Sequence, residues 1–355
     1  MIFRQLQHEE GACLSYILGC TTNAVCAVIE PQLDIEPYLE FARAKGMRIT
    51  HIFETHAQAD HLSGAMRLAH VTYAPVHYHE SVNAAFPVTK LRDGQTVNVG
   101  NIQLKILHTP GHTPDSISIV VTDTTRTREP WFVLTGDTLF VGDTGRPDLD
   151  GDAEQLYSSI HEKLLTLDDS LEVFPTHYAG SVCGKTLSPK PSSTIGFERR
   201  FNPSLQFKRK EEFVQFVTEN LPVQPPRFHE VRRFNLGFLK EPPLERAFDA
   251  NAHQITVEEL KHLMDDGHRP FLLDVREPYE YEICNLGAHL IPLMQLPTRL
   301  QELDPTKGIV VYCHTGRRSQ RAVEFLIESG FKNVKNLVGG IETWARKIDR
   351  RMRRY

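Results

Sequence analysis

The chain has 355 residues, 40% hydrophobic and 24% charged, which is too long for one small module and too apolar for wholesale disorder. Its 40 Lys plus Arg against 45 Asp plus Glu give a formal net charge of −5, so no overall positive field invites nucleic acid or an anionic membrane. No apolar run approaches the ~18 residues that span a bilayer, and the first residues, with Glu9 and Glu10, lack a basic segment leading into an apolar one. The expectation is a protein of the cytoplasm with neither a nucleic-acid nor a membrane partner.

In chain order, residues 24–29, 48–53, 102–107 and 131–134 read as strands and residues 35–45 as a helix, an α/β pattern rich in strands. The run at 48–53 leads into Thr55-His56-Ala57-Gln58-Ala59-Asp60-His61, which puts two imidazoles and a carboxylate in one turn. His108-Thr109-Pro110-Gly111-His112-Thr113 follows, then Thr135-Gly136-Asp137-Thr138, then Pro175-Thr176-His177. A lone histidine beside a turn is more often hydrogen-bonded than metal-bound. Four strand ends that each deliver metal-capable groups point instead to a metal centre.

From Ser188 to Pro243 repeated prolines surround one amphipathic segment at 211–219, a texture that interrupts regular structure. A new α/β rhythm then starts: a helix at 257–265, buried strands at 270–275 and 308–312, and a helix at 318–329 stopped by Gly330. The expected division is a first domain over 1–200, its tail and a linker over 201–251, and a second domain over 252–355. The six cysteines, Cys13, Cys20, Cys26, Cys183, Cys284 and Cys313, show no zinc-ligand pairing and no disulfide-dense pattern, so free thiols are expected.

The strand at 308–312 ends at Cys313-His314-Thr315-Gly316-Arg317-Arg318-Ser319, where helical periodicity begins. Backbone N–H groups and the dipole of a helix N-terminus stabilise an anion, and Arg317 and Arg318 add positive charge. That setting favours a thiolate and cradles a cysteine persulfide. Cys284 lacks it and reads as structural.

The ordered histidine set resembles the metallo-β-lactamase superfamily over about residues 1–200, which implies an αββα sandwich with the metal at one edge. Gln58 stands where that superfamily's loop usually has a second histidine, one that helps hold metal in two-zinc members such as the glyoxalase II thioesterases. The superfamily's first metal position would keep His56, His112 and Asp137, a facial set of two imidazoles and one carboxylate that suits non-haem Fe(II). Asp60, His61, Asp137 and His177 could form the second position, which leaves zinc there open. The segments around His56, His112, Asp137 and Thr176-His177-Tyr178, with Thr194-Ile195-Gly196-Phe197-Glu198-Arg199, resemble the persulfide dioxygenases. This resemblance implies one Fe(II) per chain on His56, His112 and Asp137, with Asp60, His61 and His177 orienting ligands or water. It also implies oxidation of glutathione persulfide by O2 to sulfite and glutathione. Arg146 and Tyr178 are expected to contact the substrate.

Over about residues 252–350 the chain resembles the rhodanese family. The resemblance is carried by Leu273-Asp274-Val275-Arg276-Glu277-Pro278, Gly287-Ala288-His289-Leu290-Ile291-Pro292, the Cys313 loop, and Gly339-Gly340-Ile341 with Trp344. It implies a smaller α/β domain in which Cys313 takes sulfane sulfur from a donor such as thiosulfate and passes it to a thiol, cradled by His314, Thr315, Gly316, Arg317 and Arg318. The combined expectation is a bifunctional persulfide dioxygenase and sulfurtransferase, with its assembly open to a homodimer. One alternative is a glyoxalase II-like zinc thioester hydrolase with a rhodanese appendix. Another is a sulfur carrier or sensor.

Overall fold

The computed structural model describes residues 1–355 apart from Glu9, Gln58, Val182, Asn220 and residues 222–226, 243–252 and 268–269. Gln58, the departure in the histidine loop, therefore lies outside the described residues. The chain divides into two compact units, Met1–Pro243 and Leu244–Tyr355. No helix among the described residues is long and apolar enough to cross a membrane.

The first unit contains two six-stranded sheets. One runs in chain order through β1 (Ile2–His8), β2 (Cys13–Cys20), β3 (Val25–Ile29), β4 (Arg48–Phe53), β5 (Val76–His79) and β6 (Thr89–Leu91), antiparallel as far as β3 and parallel beyond it. The other comprises β7 (Thr96–Val99), β8 (Ile102–His108), β9 (Ile117–Asp123), β10 (Phe132–Gly136), β11 (Glu172–Pro175) and β12 (Ser193–Thr194). The pairs β7/β8, β8/β9, β9/β10 and β11/β12 are antiparallel, and β10/β11 is parallel.

Alternation along the strands sends side chains to opposite faces, and this sorts the core. Leu14, Tyr16 and Leu18 of β2 meet Leu104 and Ile106 of β8 and Ile119 of β9 between the sheets. On the far face of the first sheet, Ile17, Val28 and Ile52 pack under α1 (Glu36–Ala44) and α2 (Ala65–Thr72). On the far face of the second, Val120, Val133 and Val173 pack under α3 (Ala153–Ser158) and residues that follow it. Together these layers are the expected αββα sandwich. The α4 (Ile195–Phe201), α5 (Lys210–Thr218) and α6 (Phe228–Asn235) helices complete the unit. Phe213 and Val217 of α5 join the outer core of the second sheet, and Leu236, capping α6, joins that of the first. The proline-rich stretch thus contributes a helix, α6, that its local pattern did not announce.

The second unit has one parallel sheet ordered β13-β17-β16-β14-β15. Its strands are β13 (Gln254–Ile255), β14 (Phe271–Asp274), β15 (His289–Leu290), β16 (Ile309–Tyr312) and β17 (Val334–Leu337). Its helices are α7 (Val257–Asp265), α8 (Pro278–Ile283), α9 (Arg317–Glu328) and α10 (Gly340–Lys347). A parallel sheet is covered on both faces, which is why β16 reads as an unbroken apolar run. Val311 packs toward Val323 and Leu326 of α9, while Val310 packs toward Leu260 of α7 and Trp344 of α10. The α7 helix starts at a reciprocal cap, with Thr256 and Glu259 each bonding the other's backbone N–H.

Candidate metal centre and cysteine loop

Strand direction gathers the four histidine-bearing segments. Since β8 and β10 both run antiparallel to β9, and β11 runs with β10, the chain leaves β8, β10 and β11 at one edge of the sheet. The loop after β4 meets them there: Ile117 N–H donates to the Thr55 carbonyl at 2.8 Å. Gly145 closes this edge by close approach, because a Cβ on it would fall 1.9 Å from the Asp137 carbonyl oxygen and 3.0 Å from His112 Nδ1.

The Nδ1–H of His112 donates to the Arg146 carbonyl at 2.8 Å, so Nε2 keeps its lone pair and sits 3.4 Å from Asp137 Oδ2. Asp137 Oδ1 accepts from the Thr176 hydroxyl and from His177 Nδ1 at 2.7 Å. That leaves Asp137 Oδ2 and His56 Nε2, both buried and without a hydrogen-bond partner among the described residues, 3.8 Å apart. His56, His112 and Asp137 thus offer three ligand atoms within 4.8 Å of one another. Buried polar atoms left unmatched cost about 1–3 kcal/mol each, and a cation among the three satisfies them together. The residues fit a metal.

The electrostatics agree. Burial lowers His112 to about 4 against the pull of Asp137, so its imidazole is neutral and able to ligate. Burial alone would raise the Asp137 carboxyl, but His177, His112 and His56 hold it well below the usual carboxylate range. Burial also opposes a charge on His56, yet Asp60, Asp137 and Glu30 outweigh it and hold its imidazole above the ordinary value, so a metal there takes the place of a proton.

Around this centre, Asp60 Oδ2 lies 3.1 Å from His61 Nδ1 and 3.4 Å from His177 Nε2. Arg146 is buried, and its guanidinium is closed on Asp148 at 2.8 and 2.7 Å. The substrate contact expected of it would require that pair to open, whereas its carbonyl already orients His112. The Tyr178 hydroxyl donates to the His8 carbonyl at 3.2 Å. His108 stands apart, stacked on His79 with ring centroids 3.7 Å apart.

Several neighbours escaped the sequence reading. Cys13 Sγ is 3.4 Å from His177 Nε2, and Cys183 groups with Asp137 and His177, its thiol pushed well up by burial. On α6, Arg232 Nε donates to the Ala57 carbonyl at 3.1 Å and Asn235 Nδ2 to the His61 carbonyl at 2.7 Å, fastening the histidine loop from behind. No spacing rule links these residues to the motif. Their proximity comes from the packing of the sheets and α6.

In the second unit, β16 delivers Cys313 to the turn before α9. Cys313 is buried, and its sulfur accepts from Gly316 N–H at 3.2 Å and the Ser319 hydroxyl at 3.4 Å. The start of α10 supports this turn through Ile341 N–H to the Cys313 carbonyl at 2.9 Å and Glu342 N–H to the His314 carbonyl at 3.0 Å. Gly340 is required there: its φ is +59°, and a Cβ would come within 2.4 Å of both carbonyl oxygens. Thr315 and Arg317 are exposed. Arg318 makes two 2.6 Å bonds to Glu280, so its charge is matched within the domain and Arg317 is the freer cation of the two. The His314 ring stacks on Tyr355 at 4.3 Å, and Asp274 and Arg276 form a fully buried pair at 2.6 Å. All six cysteines are free thiols.

Glu280 gives a pH test of this scaffold. Burial opposes its charge, but Arg318 and Tyr355 bonded to it hold its carboxyl at about 2, below the ordinary 4.5. A depressed acid stabilises the fold fully above its ordinary value and loses that contribution as pH falls toward the folded one. Unfolding followed by Trp344 fluorescence in a Trp131→Phe background should lose about 2 kcal/mol more between about pH 6 and about pH 3 in the parent than in Glu280→Gln. Equal losses would remove the assignment.

A two-sheet sandwich with buried imidazoles and a carboxylate at one edge defines a fold built to hold a metal, and the second unit presents a cysteine on a helix-opening turn. Residues 9–177 match the metallo-beta-lactamase superfamily and residues 256–347 the rhodanese-like domain. A crystal structure of ETHE1 from Myxococcus xanthus is 34% identical, covering 63% of this chain and 93% of that one with a TM-score of 0.56. A metallo-beta-lactamase structure from Staphylococcus aureus is 27% identical over 95% of this chain and 98% of that one, with a TM-score of 0.64. The human mitochondrial persulfide dioxygenase ETHE1 is 29% identical over 62% of this chain and 83% of its own length. The chain belongs to the metallo-β-lactamase superfamily, with persulfide dioxygenases among its homologues and a rhodanese-like domain after them. That combination makes it an enzyme of sulfur metabolism.

Proposed function

We propose that the chain is a bifunctional enzyme that oxidises glutathione persulfide with O2 to sulfite and glutathione in its first domain and transfers sulfane sulfur through Cys313 in its second. The observation that carries the first half is the convergence of His56 Nε2, His112 Nε2 and Asp137 Oδ2, two of them orphaned, on one buried point. These residues would hold one Fe(II), which supplies a redox-active centre able to make triplet oxygen react with sulfur. The balance is one persulfide, one O2 and one water giving glutathione, sulfite and two protons.

The chain's own groups do the rest. Arg146 fixes the His112 tautomer through its carbonyl, and Thr176 and His177 hold Asp137 so that one oxygen faces the centre. A hollow of about 310 Å³ beside the loop, lined by Ala57, Val82, Pro114, Asp115, Arg232 and Phe238, offers mixed apolar and polar walls to the organic part of a thiol, with the Arg232 guanidinium already paired to Asp150 at 2.7 Å. In the second domain the Cys313 thiolate attacks the outer sulfur of thiosulfate, sulfite leaves with the bonding electrons, and the persulfide accepts from Gly316 N–H. An acceptor thiolate then removes the terminal sulfur and regenerates Cys313.

Elemental analysis of the purified chain with an oxygen-electrode trace on added glutathione persulfide tests this reading. Iron near one equivalent and oxygen uptake are expected. Zinc with thioester hydrolysis in oxygen-free buffer would select the glyoxalase II-like reading instead. Replacing His177 with asparagine should weaken iron retention by roughly 10–100-fold, the usual cost of removing a ligand's hydrogen-bond partner. Unchanged retention on titration with a chelator would show that His177 does not orient Asp137.

A further inference from the structure

Glu30 and Glu54 are each 1% exposed, and among the described residues neither is paired with a lysine or arginine. They follow the ends of β3 and β4, which are adjacent and parallel, and His61 reaches them from the histidine loop. In each of the three, one polar atom is already committed. Glu30 Oε1 accepts from the Thr55 N–H and, at 2.6 Å, from its hydroxyl. Glu54 Oε1 accepts from the Ser63 hydroxyl. His61 Nδ1 is 3.1 Å from Asp60 Oδ2. Glu30 Oε2 and His61 Nε2 remain, both buried with no hydrogen-bond partner among the described residues.

Those two atoms are 3.8 Å apart on side chains 1% and 7% exposed, too far for a hydrogen bond but suited to two donors each about 2.0–2.2 Å from one ion. Glu30, Glu54 and His61 supply ligand atoms within 4.8 Å of one another. Ligands whose far atoms are fixed by hydrogen bonds are what a built metal site requires.

We propose that Glu30, Glu54 and His61 form a second divalent-cation site, separate from the His56, His112 and Asp137 centre. Two carboxylates and one imidazole suit a borderline ion of the zinc or manganese class, and its charge offsets two buried acids that lie against each other and have His61 as their nearest basic group. The ion ties the ends of β3 and β4 to the loop that carries His56, so its role is structural. This site also differs from one built on Asp60, His61, Asp137 and His177, because the free nitrogen of His61 faces Glu30. It does not rest on the persulfide reading.

The test counts zinc, not turnover. Full-length Asp137→Ala protein removes every site that uses Asp137. Stripped with a chelator and dialysed against zinc, it should retain one equivalent, and adding Glu30→Gln, which keeps an acceptor for Thr55, should abolish it. No zinc on Asp137→Ala, or zinc undiminished in Asp137→Ala/Glu30→Gln, overturns the site. Zinc-edge anomalous scattering from crystals of the unaltered chain grown with zinc decides the matter even where the double variant does not fold. A peak between Glu30, Glu54 and His61 supports the proposal, and its absence refutes it.

Discussion

Asp137→Ala should empty the His56, His112 and Asp137 centre of iron and stop oxygen uptake on glutathione persulfide, while thiosulfate sulfurtransferase activity stays at the parental rate. The loss should exceed the roughly 10–100-fold cost of removing only a ligand's hydrogen-bond partner, because Asp137 is both the sole carboxylate of the set and the acceptor that orders Thr176 and His177. Two buried imidazoles without an anion beside them hold a divalent ion poorly, and the His56 and His112 ring centroids, 5.1 Å apart, would face each other across a gap. Iron content and the oxygen trace should fall together. Uptake that survives with the iron gone would mean that the chemistry happens elsewhere.

Cys313→Ser should do the reverse, reducing sulfur transfer to background and leaving oxygen uptake intact. Removal of a covalent nucleophile costs on the order of 10⁶ in rate where it has been measured in a hydrolase, and here no other described thiol occupies a helix-opening turn. Serine keeps the bonds from Gly316 and Ser319 within reach, so the fold of the loop is preserved and the deficit belongs to the missing sulfur. Loss of both activities in either variant would show that the two sites are not independent.

The reach of local pattern can be judged from these same residues. Strands at 48–53 and 308–312 were legible because their apolar runs stop at polar turns, and α7 because its apolar period fills 257–265. The strand-end histidines and Asp137 were legible for the same reason: a ligand that follows a strand is announced by the strand. The α6 helix was not, since prolines on either side mask a short amphipathic segment. The partners of Arg146 and Arg318 were also hidden. A cation two residues from Asp148 or 38 from Glu280 looks equally free in a list of residues, and only folding shows that both forks are closed on acids.

Periodicity, turn chemistry and residue type were therefore enough to give two α/β units, the ends of their strands, and the inventory of groups able to hold a metal or a persulfide. They could not say which atom of each group is left over. Cys13 and His177 lie 164 positions apart and Glu30 and Thr55 lie 25 apart, and their meeting depends on which strands pair and in what register. Each carboxylate and imidazole has two polar atoms. Hydrogen bonds consume one and aim the other, from distant residues at Asp137 and Glu30 and from the preceding residue at His56 and His61, and the atoms so left unmatched are where the cations are expected.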